Sequence, residues 1–216
     1  MESFYIKDCA LVVMTDVIKS ALNLRELYDR LGVCSEDSIY HHFYETKLRS
    51  TFDDPNYPND FAVWSHRALN DKVLAEKLGI IDPFEFETLD KLRIHTLEII
   101  DERLSELQHV PWASSGQEFH FLQAINVVFD TGQTIEHPRD FAKALLHMTN
   151  SSIYHHFIDT RKKGENYSND FTDWLEGYGD ITANLIKSLG QIDFYFMSLK
   201  DVKRELITVA HANVIN

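Results

Sequence analysis

The chain has 216 residues, of which 44% are hydrophobic and 25% are charged, and this composition excludes an intrinsically disordered protein. Its formal net charge of −13 disfavours nucleic acids and anionic membranes as partners, since phosphate groups repel a surface of that sign. Cys9 and Cys34 form no C-x-x-C motif, and no apolar run approaches the roughly 20 residues that span a bilayer. Because the N-terminus also lacks the features of a signal peptide, we expect a cytoplasmic protein.

The first predicted elements are a strand and a helix. Residues 4–14 are rich in β-branched and aromatic side chains, which favours a short strand or a hairpin. Residues 23–32 repeat apolar side chains at helical spacing between Asn23, a typical N-cap, and Gly32, a typical stop.

The hexapeptide S-I-Y-H-H-F at residues 38–43 predicts the next helix, with Asp37 or Ser38 as its cap. At helical spacing His42 shares a face with apolar neighbours and points to the core. His41 shares another face with Glu45, so we expect this histidine to lie nearer the solvent.

Three further helices follow in the first half of the chain. Asn59 is the predicted N-cap of a helix that carries N-D-F-x-x-W, and residues 71–78 suggest a short helix. Thr88 is the predicted cap of the longest helix, whose apolar side chains form one stripe.

The second half of the chain repeats these patterns. S-I-Y-H-H-F recurs at residues 152–157 with Ser151 or Ser152 as its predicted cap, and N-D-F-x-x-W recurs at residues 169–174 with Asn169 as its predicted cap. Residues 119–129 resemble the β-rich head. We therefore predict two tandem units, residues 1–110 and 118–216, joined by a linker at 111–117. The predicted fold is mainly α, or α+β if each head forms a short strand or hairpin, built as two tandem pseudo-symmetric helical units.

These motifs, followed by L-x-E-K-L-G-x-I-D and a capped helix, resemble a prokaryotic domain family of unknown function. The resemblance covers nearly all of both repeats and implies units of about 100 residues. It brings no established activity or cofactor. The second repeat departs from the pattern because Phe194 stands where the first has Pro83. The residues that carry the resemblance are Ser38, Tyr40, His42, Asn59, Asp60, Phe61 and Trp64, with their counterparts in the second repeat.

The repeated polar residues allow two interpretations. The first is structural: His42 donates a hydrogen bond to Asp60, and His156 to Asp170, because a buried imidazole without a partner costs about 1–3 kcal/mol. The second is a metal site, in which His42 with Glu45 and His156 with Asp159 supply four ligands at an interface between pseudo-symmetric halves. The secondary candidates for a site are Tyr40, His41, Glu45, Asn59, Trp64, Tyr154, His155, Asp159, Asn169 and Trp174.

The sequence contains no phosphate-binding glycine loop, nucleophile elbow or H-E-x-x-H motif. We therefore expect a non-catalytic binding or regulatory module that acts on a protein or small-molecule partner, without a cofactor, metal, nucleic acid or membrane. The alternative hypothesis is a metal-dependent enzyme or sensor that uses the repeated His, Asp and Glu side chains.

Overall fold

Two long strands run through the fold. The structure, a computed structural model, describes residues 2–48, 57–163 and 168–213. In this part of the chain β1 (Phe4–Thr15) and β2 (Leu122–Ile135) form a two-stranded antiparallel sheet. Both strands are rich in β-branched and aromatic residues, which fit a pleated backbone.

The chain divides into two compact units. The continuous unit comprises Val12–Ile125, and the split unit comprises Met1–Leu11 together with Asn126–Asn216. Each strand therefore contributes residues to both units. The boundaries of these compact units differ from the predicted repeat boundaries. The repeats were defined by sequence similarity, and their boundaries stay a prediction.

The helices of the continuous unit begin at side-chain caps. Asn23, Asn59 and Thr88 each accept a hydrogen bond from a backbone N–H in the first turn, as their positions predict. Their apolar faces pack into one core with Phe119 and Phe121. The helices are α1 (Leu24–Leu31), α2 (Glu36–Tyr44), α3 (Asp60–Arg67), α4 (Lys72–Gly79) and α5 (Leu89–Glu106), with 3₁₀ turns at Glu45–Leu48 and Pro83–Glu85.

The split unit is also largely helical, and one of its turns is unusual. Tyr154–Asp159, which contains most of the second hexapeptide, forms a π-helical turn between two short helices. Its helices are α6 (Phe141–His147), α7 (Asn150–Ile153), α8 (Thr160–Lys163), α9 (Asp170–Glu176), α10 (Ala183–Gly190) and α11 (Leu199–Ala212), with 3₁₀ turns at Pro138–Asp140 and Gly179–Ile181.

Residues 117–121 form an extended segment of the continuous unit. Ala21 and Phe119 exchange two backbone hydrogen bonds of 2.8 Å, and Asp16 donates to the carbonyl oxygen of Phe121 at 2.8 Å. Alternate side chains of this segment therefore point in one direction, and Phe119 and Phe121 are buried.

The predicted fold class is wrong. The described part of the chain is α+β, and it is not clearly two tandem helical units. The local sequence indicated a short strand or hairpin at each head, whereas each head belongs to a long strand whose partner lies in the other half of the sequence. Pairing over such a sequence distance is decided by tertiary packing and leaves no local signal.

Candidate functional site

Two buried histidines form the hydrogen bonds that their recurrence predicts. His42 Nδ1 lies 2.6 Å from Asp60 Oδ2, and His156 Nδ1 lies 2.7 Å from Asp170 Oδ2. The exposed fractions of the two histidines are 2% and 1%. Each aspartate is the first residue of its helix, so each pair joins the hexapeptide to the helix that begins with N-D-F.

The second nitrogen of each imidazole accepts a backbone N–H. Leu122 donates to His42 Nε2 at 2.9 Å, and Lys7 donates to His156 Nε2 at 2.8 Å. An amide nitrogen can only donate, so Nε2 carries no proton and Nδ1–H donates to the aspartate. This neutral tautomer uses both ring nitrogens for contacts within the chain.

In the split unit the hexapeptide binds both the N–H and the carbonyl oxygen of Lys7. The Ser152 hydroxyl donates to the Lys7 carbonyl oxygen at 2.7 Å, while His156 one turn later accepts the Lys7 N–H. In the continuous unit the corresponding Ser38 Oγ is buried, and the described residues give it no hydrogen-bond partner. The two hexapeptides therefore share the histidine contact and differ in the serine contact.

The predicted caps of the hexapeptide helices are wrong. Ser35 and Thr149 are the N-caps, each accepting from a backbone N–H three residues later. The true caps lie three residues before Ser38 and Ser152, which places both of those hydroxyls inside the helix.

Lys7 and Leu122 each end a short extended segment, and a tryptophan side chain binds the other end of each segment. Trp174 Nε1 donates to the Glu2 carbonyl oxygen at 3.0 Å, and Trp64 Nε1 donates to the Gln117 carbonyl oxygen at 2.7 Å. Between these contacts a phenylalanine of each segment packs on the buried histidine, with ring centroids 4.8 Å apart in both units. We call residues 2–7 and 117–122 the docked segments.

The first histidine of each hexapeptide is buried, so the expectation that it lies nearer the solvent is wrong. The exposed fraction is 0% for His41 and 8% for His155. His41 Nδ1 lies 2.8 Å from Glu45 Oε2, whereas His155 Nδ1 and Asp159 Oδ2 are 3.7 Å apart, beyond a hydrogen bond. The prediction from helical periodicity required one side of the helix to face solvent. The side chains of α2 are buried nearly all round the helix axis.

The remaining candidates have structural contacts. Asn59 caps α3 and donates to the Leu78 carbonyl oxygen at 2.8 Å, while Asn169 caps α9 in a capping box with Thr172. Tyr154 is fully buried, and the Tyr40 ring stacks on the Tyr44 ring at 4.9 Å. These residues explain local folding rather than chemistry.

Three side chains of the split unit lie close enough together to be tested as a metal site. One ligand atom each from His155, His156 and Asp170 falls within 4.8 Å of the others. A metal on His156 Nδ1 would displace its proton while Nε2 still accepts the Lys7 N–H, which would require an imidazolate. With these hydrogen bonds in place the three residues do not fit a metal, and the absence of a metal stays a prediction.

Burial lowers the pKa of His156, against the opposing effects of its hydrogen bond to Asp170 and of that carboxylate's charge. The reference pKa of histidine is about 6.5. The His156 imidazole is therefore neutral at pH 7, which agrees with the tautomer that its hydrogen bonds require.

A cavity lies against the His–Asp pair in each unit. The cavity of the continuous unit measures about 400 Å³, and that of the split unit about 560 Å³. Each is lined by the paired histidine and aspartate, the tryptophan and part of the docked segment. Val63, Arg67 and Ala68 complete the lining of the first cavity, and Asp130 and Asp173 complete that of the second.

The sequence profile of one family, described as a family of unknown function (DUF5752), matches residues 1–211. The chain belongs to the DUF5752 family. The predicted resemblance to a family of unknown function is confirmed, and one match spans both occurrences of the hexapeptide. No curated protein matches the sequence.

This DUF5752 chain is similar in structure to OrfY from Thermoproteus tenax. The TM-score is 0.78 and the sequence identity 25%, over 98% of this chain and 95% of the other. Among the described residues, no helix combines the length and the apolar character needed to cross a membrane.

Sequence reasoning about this DUF5752 protein missed the docked segments. The two segments carry Phe4 and Phe119 at matching positions, which was a usable signal of a shared role. The hydrogen bonds at both ends of each segment use its backbone groups, however, and backbone groups leave no trace in residue types.

Proposed function

We propose that this protein is a non-catalytic binding module that takes a small-molecule ligand in the cavities beside its His–Asp pairs. The observation that carries the proposal is that both ring nitrogens of His42 and of His156 are bonded within the chain, while an open cavity lies against the same residues. An imidazole in this state has no free nitrogen to act as a general base. The bonded imidazole instead forms a rigid part of the cavity lining.

The size and lining of the cavities support a small ligand. Ligand sites are concave, of about 300–1,000 Å³, with apolar walls and a few placed polar groups. The cavity of the continuous unit combines the Trp64 and Phe119 rings with the polar side chains of Arg67 and His120. The net charge of the chain disfavours a nucleic acid as the ligand.

A ligand screen with a cavity-filling variant tests the proposal. A metabolite library is screened by thermal shift against the wild type and against Ala68→Phe, which places a ring in the cavity of the continuous unit. Compounds that raise the melting temperature of the wild type should raise that of Ala68→Phe less.

The matched control for the screen is Ala183→Phe, because Ala183 is an exposed helical alanine outside both cavities. This variant should respond to ligands as the wild type does. The proposal fails if no compound stabilises the wild type, or if Ala68→Phe and Ala183→Phe respond alike to every compound that does.

The competing function is a metal-dependent enzyme or sensor, and the closeness of His155, His156 and Asp170 is the observation in its favour. It would require the Lys7–His156 hydrogen bond to break when a metal binds. Elemental analysis of the metal content of the purified protein therefore separates the two candidates.

A further inference from the structure

One contact of the docked segment in the split unit depends on an unprotonated nitrogen. Lys7 N–H donates to His156 Nε2 at 2.8 Å, and the other side of the same ring is bonded to Asp170 at 2.7 Å. The ring cannot turn to offer a different acceptor without breaking the bond to Asp170. The Lys7 contact therefore exists only while Nε2 carries no proton.

Protonation of His156 would reverse this contact. A second proton can only be added at Nε2, where the new N–H would face the N–H of Lys7. Two donors cannot share a hydrogen bond, so the amide and the imidazolium would each need another acceptor.

Charged and titratable groups surround His156 on several sides. The Asp170 carboxylate is bonded to Nδ1, and the neighbouring His155 ring lies with its centroid 4.9 Å away. The same cavity is lined by the Lys7 side chain and by three further acids, Glu2, Asp130 and Asp173. The acids favour an imidazolium once it forms, while Lys7 and His155 oppose it.

We propose that protonation of His156 releases residues 2–7 from the helices of the split unit and thereby opens the cavity beside Asp170 and Trp174. The loss of the Lys7 contact follows from the hydrogen-bond geometry, and it leaves the segment held by its bonds to Ser152 and Trp174 and by the pairing of β1 with β2. Its effect on a ligand in that cavity rests on the function proposed above.

Burial sets the pH range of this switch. Because burial lowers the pKa of His156, protonation in the docked state requires a pH below the ordinary value of about 6.5. The docked segment of the split unit should therefore persist at pH 7 and be lost as the pH falls through the lowered pKa of His156.

Hydrogen exchange of the Lys7 amide tests the release directly. Exchange is measured by NMR between pH 7.5 and pH 5 and expressed as protection factors, which remove the intrinsic pH dependence of exchange. The Lys7 protection factor should fall by at least about tenfold, while that of the buried Leu189 in α10 should change less than about twofold.

Two variants separate the titrating nitrogen from the rest of the contact. His156→Gln keeps an acceptor near Lys7 but cannot be protonated, so its Lys7 protection should be independent of pH. Ser152→Ala removes the bond to the Lys7 carbonyl and keeps the imidazole, so its protection should be lower throughout and retain the pH dependence of the wild type.

Constant Lys7 protection in the wild type would overturn the proposal. So would an equal loss at Leu189, because that outcome is global unfolding of the unit. Neither measurement uses a ligand, so failure here leaves the binding proposal intact. Conversely, a normal release with no ligand found in the screen would count against the binding proposal alone.

Discussion

The second histidine of each hexapeptide holds three pieces of chain together. His42 joins its own helix, the first residue of α3 and the amide of Leu122, and His156 does the same with α9 and Lys7. A neutral imidazole suits this position, because it offers one donor and one acceptor on opposite edges of a rigid ring. The first histidine of each hexapeptide lies beside a buried acid. His41 and Glu45 are 2.8 Å apart, and His155 and Asp159 are 3.7 Å apart.

Removing Asp60 should destabilise the protein. Asp60→Ala leaves the buried Nδ1–H of His42 without its acceptor, and the free energy of unfolding should fall by about 1–3 kcal/mol. Urea unfolding measures the change. Asp101→Ala is the control, since Asp101 is exposed on α5, and it should change the same quantity by less than about 0.5 kcal/mol. Equal effects of the two substitutions would show that the His42 pair has no special role.

Purified protein should carry less than about one-tenth equivalent of any transition metal, because His156 needs its Nδ1 proton while Lys7 occupies Nε2. Elemental analysis measures the content, and a chelator should leave the melting temperature unchanged. Stoichiometric zinc, iron or manganese that is lost in His42→Ala or His156→Ala would reverse this conclusion and favour the enzyme hypothesis.

At the scale of elements, two helices that end in the same L-G-x-I-D pattern have different surroundings. α4 ends at Gly79, where an added Cβ would lie 2.8 Å from the Tyr57 ring. α10 ends at Gly190, where an added Cβ would meet nothing within 4 Å. The first glycine is required by close packing, whereas the second is not.

These two glycines form a matched pair of substitutions. Gly79→Ala should lower the free energy of unfolding by about 1–3 kcal/mol, since the Tyr57 ring must move out of a packed position. Gly190→Ala should raise it by about 0.4–1 kcal/mol, because alanine restricts the unfolded chain and favours the helix. Chemical denaturation of both variants checks the signs, and a stabilising Gly79→Ala would contradict the packing argument.

At the scale of the whole molecule, each compact unit depends on an extended segment held by a histidine and a tryptophan. The split unit takes its segment from the N-terminus and the continuous unit takes its segment from residues 117–122. The stability of the split unit should therefore depend on pH through His156. The folded state holds this histidine with a lowered pKa, so between the folded and unfolded pKa values it binds fewer protons than the unfolded chain.

The sign of the pH effect follows from that difference. The contribution of His156 is present above the unfolded pKa of about 6.5 and is lost as the pH falls through the lower folded pKa. Thermal unfolding should show the wild type losing more stability than His156→Gln between pH 7.5 and pH 5. An equal loss in both proteins would assign the acid sensitivity to other groups.

The sequence by itself determined the helix caps at Asn23, Asn59 and Asn169, and it offered the pairing of His42 with Asp60 as one of two interpretations. A cap satisfies N–H groups within three residues, so its signal is local, and the repeated motifs showed which polar residues occur together. Only the tertiary structure decided the α+β class, the burial of His41 and the partners of Nε2. Those features depend on which strands pair across the sequence and on which surfaces meet, and the donors at Nε2 are backbone amides that every residue type except proline supplies.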